Sequence, residues 1–261
     1  MEHLINNGIF KMKKLTLISS SILLSLTSLS ISTLAQANTF QQEAELGYMH
    51  TDNIDILMAG FTHHFEQQSV NKGPWAEAAF LNKSSFIGGA LTYLDANDSD
   101  TAYSVFGQGM LNETYYLNGL YTTTDNVNVF GIGGGAYLTP NSAIYLNYQN
   151  NDIDDGDSTY NLTLGYKLIA NLSNNNFINF NAEISDDDGE FNSYSANADY
   201  YFSPKTYLGL GVAYNDYDEY GSHTDFELSA GHFFNNQVGV DLSYVNGDGD
   251  NLTTVSAVFR F

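Results

Sequence analysis

The final ten residues, 252–261, alternate between apolar and polar side chains and end on an aromatic residue. One face of the implied strand carries Val255, Ala257, Phe259 and Phe261, and the other carries Thr254, Ser256 and Arg260, with Val258 as the exception. A period of two residues is typical of a β-strand whose two faces meet different environments. A strand that runs to the end of the chain with one apolar face and an aromatic terminus suits a wall between lipid and water. The pattern therefore predicts a β-sheet that spans a membrane.

The beginning of the chain has the layout of a secretory signal peptide. Lys13 and Lys14 supply the positive start, residues 15–34 are apolar with many serines and threonines, and Ala35-Gln36-Ala37 is a small-residue cleavage site. A transmembrane helix is the weaker alternative, because hydroxyl side chains dilute the apolar run and a cleavage site follows it. We expect residues 1–37 to be removed, with an upstream extension before Met12.

The predicted mature domain, residues 38–261, has 224 residues, no cysteine, 5 Lys and Arg, and 29 Asp and Glu. Disulfides and thiolate metal sites are therefore excluded. No later apolar run approaches the ~18 residues of a transmembrane helix, so only a closed barrel satisfies the backbone inside a bilayer. Nucleic acid is not an expected partner, because phosphate binding requires clustered Lys and Arg. The 19 Tyr and 17 Phe favour an ordered sheet over the disorder that such acidity can indicate.

Segments with a period of two recur along the chain, most clearly at 177–185, 193–202 and 224–234. Their apolar faces often end in aromatic residues, as expected of the girdles of a transmembrane barrel. Their polar faces carry glycine, asparagine and carboxylates without matching bases, which a wet lumen tolerates. A β-sandwich would share the alternation. Short turns that alternate with longer acidic loops favour the barrel, with the short turns in the periplasm.

The sequence predicts an all-β fold, a transmembrane antiparallel up-and-down barrel of about 14 strands, with 16 or 12 as alternatives. The predicted strands are 41–50, 54–65, 84–94, 101–111, 115–123, 127–138, 142–150, 159–169, 176–185, 191–202, 206–215, 224–234, 237–246 and 251–261. Pro74 suits the first position of a helix, so we expect a short periplasmic helix or turn at 73–82. An additional strand there is the alternative, and it would require another hidden strand to keep the total even.

Three segments resemble the "putative general bacterial porin" family of gammaproteobacteria. They are KGPWAEAAFLN at 72–82, ADYYFSPKT at 198–206 and VFRF at 258–261. The resemblance implies an outer-membrane barrel in a Gram-negative bacterium, with lipid and lipopolysaccharide around it and no catalytic motif. Phe259 and Phe261 look like the assembly signal that the barrel-assembly machinery reads.

The polar faces of the predicted strands carry six carboxylates that we expect to line a pore: Glu43, Glu45, Glu183, Asp199, Glu227 and Asp241. Rings of Asp and Glu favour cations. General porins, as the resemblance implies, set an arginine row against such acids, and this chain has none. We therefore predict a water-filled, cation-preferring pore for small hydrophilic solutes or ions. The alternative for these residues is a merely solvated wall.

Two weaker patterns concern metals and catalysis. Asp152, Asp154, Asp155 and Asp157 have the spacing of half a calcium loop, without the glutamate that completes one. We expect hydrated acidic tips there, bridged by divalent ions to lipopolysaccharide, and no resident metal or cofactor. His223 and Asp225 form the only pair worth considering as catalytic, and no nucleophile motif accompanies them, so we do not expect an enzyme. The alternative to a pore is a closed structural or adhesive barrel, filled by its own side chains or by residues 66–83.

Overall fold

A computed structural model describes residues 38–51, 54–96, 99–154, 156–187, 191–217, 221–247 and 251–261. These residues form a closed barrel of 14 antiparallel strands, each hydrogen-bonded to its neighbours in chain order. The strands are β1 (Thr39–His50), β2 (Asp55–Ser69), β3 (Phe86–Asp95), β4 (Asp100–Met110), β5 (Tyr115–Thr123), β6 (Val127–Thr139), β7 (Ser142–Ile153), β8 (Thr159–Asn171), β9 (Phe177–Asp187), β10 (Phe191–Ser203), β11 (Thr206–Tyr217), β12 (Gly221–Asn235), β13 (Val238–Asn246) and β14 (Leu252–Arg260). The predicted all-β barrel and its strand number are confirmed.

The barrel closes where the last strand pairs with the first. Arg260 of β14 lies opposite Glu43 of β1, and the pairing runs to Thr253 opposite His50. Phe261 donates its N–H to the Gln42 carbonyl at 3.1 Å and accepts N–H groups of β1 at 2.9 and 3.0 Å. Closure leaves no free sheet edge, which is the condition for a sheet to exist in hydrocarbon.

The outer wall is apolar with an aromatic ring at each end. At the rim that carries the acidic loops, tyrosines 48, 93, 103, 121, 148, 160, 194, 214 and 244 are 39–57% exposed. At the other rim, Phe65, Tyr115, Phe202 and Phe234 are 52–62% exposed. Such paired girdles mark the two membrane interfaces. Among the described residues, no helix has the length and apolar character needed to cross a membrane.

One segment leaves the wall. Between β2 and β3 lie two 3-10 helices, Val70–Lys72 and Trp75–Glu77, and a short helix α1 (Ala78–Leu81). The predicted short helix near 73–82 is therefore confirmed, and the alternative of an additional strand is wrong. Gly73 and Pro74 separate the two 3-10 helices, and Lys83 ends the excursion in a left-handed conformation with φ 54°. We call residues 70–83 the crossing segment.

Candidate functional site

The crossing segment spans the periplasmic mouth of the barrel from one side to the other. The Trp75 ring packs against Phe233 of β12 with a centroid distance of 6.1 Å, and the backbone N–H of Trp75 donates to the Pro204 carbonyl. The Phe80 ring packs against Tyr137 of β6 at 5.1 Å. In the closed barrel of 14 strands, six steps along the wall separate β6 from β12. Six steps in the opposite direction, through β1, separate β6 from β14. The segment thus joins nearly opposite walls across the lumen.

A buried network holds the Trp75 end at the seam between β1 and β14. Arg260 donates from Nε to Glu43 Oε2 and from Nη1 to the Trp75 carbonyl, both at 2.7 Å. Its guanidinium carbon also lies 4.3 Å from the Phe40 ring centroid and 4.6 Å from that of Phe233. The arginine of the last strand therefore binds the first strand and the crossing segment at once.

The same network continues through His64 to the end of the crossing segment. His64 Nε2 lies 2.9 Å from Glu43 Oε1, and His64 Nδ1 lies 2.6 Å from Ser84 Oγ. Because a carboxylate only accepts, the Nε2 proton points to Glu43, and the contact at Nδ1 joins the ring to the serine hydroxyl. The order Ser–His–Glu resembles that of a hydrolase triad, but Arg260 takes up the Glu43 charge and all three side chains are buried. We define Ser84, His64, Glu43 and Arg260 as the seam network.

The other end of the crossing segment has its own polar contacts. Glu77 Oε2 lies 2.7 Å from Lys167 Nζ, and Glu77 Oε1 accepts from Asn179 Nδ2 at 3.0 Å. The Tyr137 hydroxyl donates to the Phe80 carbonyl at 3.0 Å. The segment is therefore held by side chains of β6, β8 and β9 as well as by the seam.

The few basic residues of the domain are all found at this level. Lys167 and Arg260 pair with carboxylates, as described above. Lys83 donates to the Glu113 carbonyl, and Lys205 Nζ lies 4.5 Å from the centroid of the Trp75 ring. Lys72 belongs to the crossing segment itself. The wall between this level and the acidic loops has no basic side chain among the described residues.

The six predicted pore-lining carboxylates divide into two sets. Glu43 and Glu45 are 1% and 7% exposed at the seam, where Glu43 belongs to the seam network. The other four are wall residues on one side of the barrel: Glu183 of β9, Asp199 of β10, Glu227 of β12 and Asp241 of β13. Of these, Asp199 is buried and accepts a hydrogen bond from Asn179 at 3.0 Å. We call these four the acidic wall. Their part in permeation stays a prediction.

Inward glycines let polar side chains on the wall reach across a strand. Four hydrogen bonds join residues two strands apart, each over a glycine that lies directly opposite both partners. They are Tyr145 to Glu183 over Gly165, Tyr207 to Asp241 over Gly231, Ser229 to Asp199 over Gly209, and Asn118 to Asn147 over Gly133. Three of the four acidic-wall residues are held in this way by neutral donors.

The remaining predicted sites have the following places. Asp152 accepts a hydrogen bond from Ser158, and Asp154 donates its N–H to the Asn126 carbonyl, whereas Asp155 lies outside the described residues. The described part of the chain contains no group of three or more His, Cys, Asp or Glu side chains placed to hold a metal ion. Phe259 lies near the periplasmic end of β14, opposite Val238.

Two further predictions concern the signal peptide and a pair of possible catalytic residues. Ala35 and Ala37 lie outside the described residues, so the signal peptide and its cleavage stay predictions. His223 Nε2 lies 3.4 Å from Asp225 Oδ2, and Asn215 donates to the same carboxylate at 2.9 Å.

Comparison with known proteins agrees with this architecture. A family model described as "putative general bacterial porin" matches residues 12–170 and 153–261. The crystal structure of the outer membrane protein Omp33 of Acinetobacter baumannii is 23% identical, covers 86% of this chain and 99% of its own, and superposes with a TM-score of 0.69. A bacterial polysaccharide outer membrane secretin is 8% identical, covers 85% of this chain and 98% of its own, and gives a TM-score of 0.55.

A third solved structure, the CymD monoaromatic hydrocarbon channel, is 10% identical, covers 85% of this chain and 89% of its own, and has a TM-score of 0.53. No curated protein sequence matches this chain. The structural likenesses show the fold, and the family match adds the location in the outer membrane and a porin or channel role. The chain belongs to the putative general bacterial porin family.

Proposed function

We propose that this protein is an outer-membrane channel for the passive diffusion of small hydrophilic solutes and ions, and that it prefers cations. The acidic wall carries the proposal. Among the described residues, none of its four carboxylates forms an ion pair with a lysine or arginine, and the ion pairs of Lys167 and Arg260 are made with Glu77 and Glu43. Low-dielectric walls of one charge sign focus the field and raise the local concentration of counter-ions. Rings of Asp and Glu select cations by the same means.

We further propose that the described conformation is the closed one and that conduction requires the crossing segment to move. The segment is short, and its 3-10 helices meet at Gly73 and Pro74, so it can leave the mouth without breaking the strand ladder. Its departure breaks the ion pair of Glu77 with Lys167 and the hydrogen bond from Arg260 to the Trp75 carbonyl. It also exposes the packed rings of Trp75 and Phe80. A barrel of 14 strands lies between ~8 strands, which side chains fill, and ~16, which leave a clear channel.

The same segment supports a second candidate function, a closed structural or adhesive barrel. In that case the crossing segment is a permanent part of the core, and no ions pass. The two candidates differ in one measurable property, the conductance of the folded protein in a planar bilayer.

The experiment inserts the folded protein into a planar bilayer and measures the reversal potential in a salt gradient. We expect discrete conductance steps and a reversal potential whose sign shows that cations are more permeant than anions. Neutralising the acidic wall (Glu183→Gln, Asp199→Asn, Glu227→Gln and Asp241→Asn together) should move the reversal potential toward zero. Glu113→Gln, in an exposed periplasmic turn, is the control and should leave it unchanged. A reversal potential of the anion sign would reject the cation preference.

The absence of cysteine makes the role of the crossing segment directly testable. Cysteines at Glu77 and Lys167, whose long side chains meet at their ends, permit a bifunctional reagent with a reducible disulfide in its spacer to tether the segment to β8. We expect tethering to abolish the conductance steps and reduction to restore them. If the wild type and a Glu77→Gln, Lys167→Met variant are both correctly folded and silent, the closed structural barrel is the better account.

A further inference from the structure

Two of the glycine-bridged hydrogen bonds share an arrangement that bears on how cations pass. The Tyr145 hydroxyl donates to Glu183 Oε1 at 2.5 Å, and the Tyr207 hydroxyl donates to Asp241 Oδ1 at 2.7 Å. A Cβ atom on Gly165 would lie 2.1 Å from Tyr145 Cζ, and one on Gly231 would lie 2.1 Å from Tyr207 Cε1. Each phenol ring therefore occupies the space over a glycine of the middle strand, and its hydroxyl reaches the carboxylate of the strand beyond.

The chemistry of this bridge differs from that of an ion pair. In the seam network Arg260 neutralises Glu43, so that carboxylate offers no charge to the lumen. A tyrosine hydroxyl is a neutral donor, so it occupies one oxygen of Glu183 and one of Asp241 without adding a positive charge beside the carboxylate. A carboxylate that is free to turn can bind a divalent cation with both oxygens. A carboxylate with one oxygen held against the wall offers a weaker site.

Conduction needs sites that attract an ion and also release it. We propose that Tyr145 and Tyr207 are positioning residues, which keep Glu183 and Asp241 as weak, rapidly exchanging cation sites in the lumen. The proposal rests on the proposed function, because it concerns cations that pass the acidic wall. It adds a prediction that the cation preference alone does not make: the hydroxyls protect the channel against block by divalent cations.

The test removes the two hydroxyls and leaves the rings in place, in the variant Tyr145→Phe, Tyr207→Phe. The first measurement is the Mg²⁺ concentration that halves the conductance in the bilayer. We expect this concentration to fall by about threefold to tenfold, the free energy of one neutral hydrogen bond expressed as a binding ratio. A merely structural role for the hydroxyls would leave it unchanged.

Two controls assign the effect to these bridges. Tyr148→Phe removes a hydroxyl on the same strand β7 from a side chain that is 40% exposed on the outer wall, and it should leave the half-blocking concentration unchanged. In a Glu183→Gln, Asp241→Asn background, the tyrosine substitutions should have no effect, because the carboxylates that they release are absent.

A second measurement does not depend on conductance. Mn²⁺ binding to the folded protein in micelles, followed by electron paramagnetic resonance, should tighten by the same factor in the Tyr145→Phe, Tyr207→Phe variant. The tightening should again be lost in the Glu183→Gln, Asp241→Asn background, which separates the lumen from the acidic loops. Unchanged Mn²⁺ affinity in folded variants overturns the positioning role. If the wild-type protein shows no conductance, that result contradicts the proposed function and not the positioning role. The Mn²⁺ affinities of the folded variants then test the positioning role.

Discussion

Replacing Arg260 by methionine is the most informative perturbation of the crossing segment, because this side chain touches three parts of the protein. It binds Glu43 of β1 and the Trp75 carbonyl, each at 2.7 Å, and stacks between two aromatic rings. Methionine has a similar reach and can keep much of the apolar packing. The substitution therefore removes the charge and the hydrogen bonds with little change in volume.

The expected cost is dominated by the carboxylate that is left behind. Glu43 is 1% exposed, and without Arg260 it keeps His64 as its partner. Breaking a buried ion pair by removing one member costs about 3–5 kcal/mol. The two cation–π contacts contribute ~0.5–2 kcal/mol each, part of which the methionine replaces. We therefore expect the free energy of unfolding to fall by about 4 kcal/mol.

The double variant Glu43→Gln, Arg260→Met tests this reasoning. Because the stranded charge is gone, the double variant should be more stable than Arg260→Met alone. Measured as a double-mutant cycle, the coupling between the two sites should be about 2 kcal/mol or more. Additive effects of the two substitutions would refute the claim that the stranded charge dominates.

The assay can separate the crossing segment from the barrel. Trp75 is the one tryptophan of the sequence and accepts the Arg260 hydrogen bond, so its fluorescence reports on the segment during urea titration in lipid vesicles. The change of gel mobility on heating reports on the barrel wall. Lys72→Met is the control, because Lys72 is exposed, and it should change stability by no more than ~0.5 kcal/mol.

Three shorter predictions follow from other contacts. Gly165→Ala forces a tyrosine ring off the wall and should destabilise the barrel by about 1–3 kcal/mol in urea titration, whereas Gly109→Ala, with nothing within 4 Å of the new Cβ, should not. Lys167→Met removes the ionic contact of Glu77 and should raise the fraction of time that single channels spend open; an unchanged fraction would show that this contact does not hold the mouth. Phe261→Ser should lower the yield of heat-modifiable protein in outer-membrane fractions, and a normal yield would remove its assignment as an assembly signal.

The strands could be predicted from the sequence because each one faces two solvents. Lipid on one side and water on the other impose a period of two that survives even in β6, where Gly131, Gly133, Gly134 and Gly135 blur the faces. The predicted and observed strand limits differ mainly at the ends, as in β2, which runs on to Ser69 instead of stopping at 65. Strand ends that extend beyond the membrane have similar surroundings on both faces, so the alternation fades there.

The position of the crossing segment could not be predicted in the same way. Pro74 and the apolar face after it indicate a helix, but a local pattern does not say which wall the helix meets. The deciding contact joins Arg260 to Trp75, residues 185 positions apart. It depends on the closure of β14 onto β1, which brings Arg260 opposite Glu43. The sequence therefore predicted a helix at the mouth and left open whether it hangs below the mouth or lies across it.

The glycine-bridged hydrogen bonds could be predicted only from the pairing register of the strands. In the sequence, Tyr145, Gly165 and Glu183 belong to three separate segments with no shared pattern. An isolated glycine in a strand is expected to weaken that strand. Once the pairing register is known, all three fall on one line across β7, β8 and β9. A slip of one residue in either pairing would turn one of them toward lipid, so the bridge and the register stabilise each other. The acidic wall thus depends on strand pairing as much as on composition. The domain has five basic residues, of which four make contacts at its periplasmic mouth. Three of the four acidic-wall carboxylates are instead held by neutral donors.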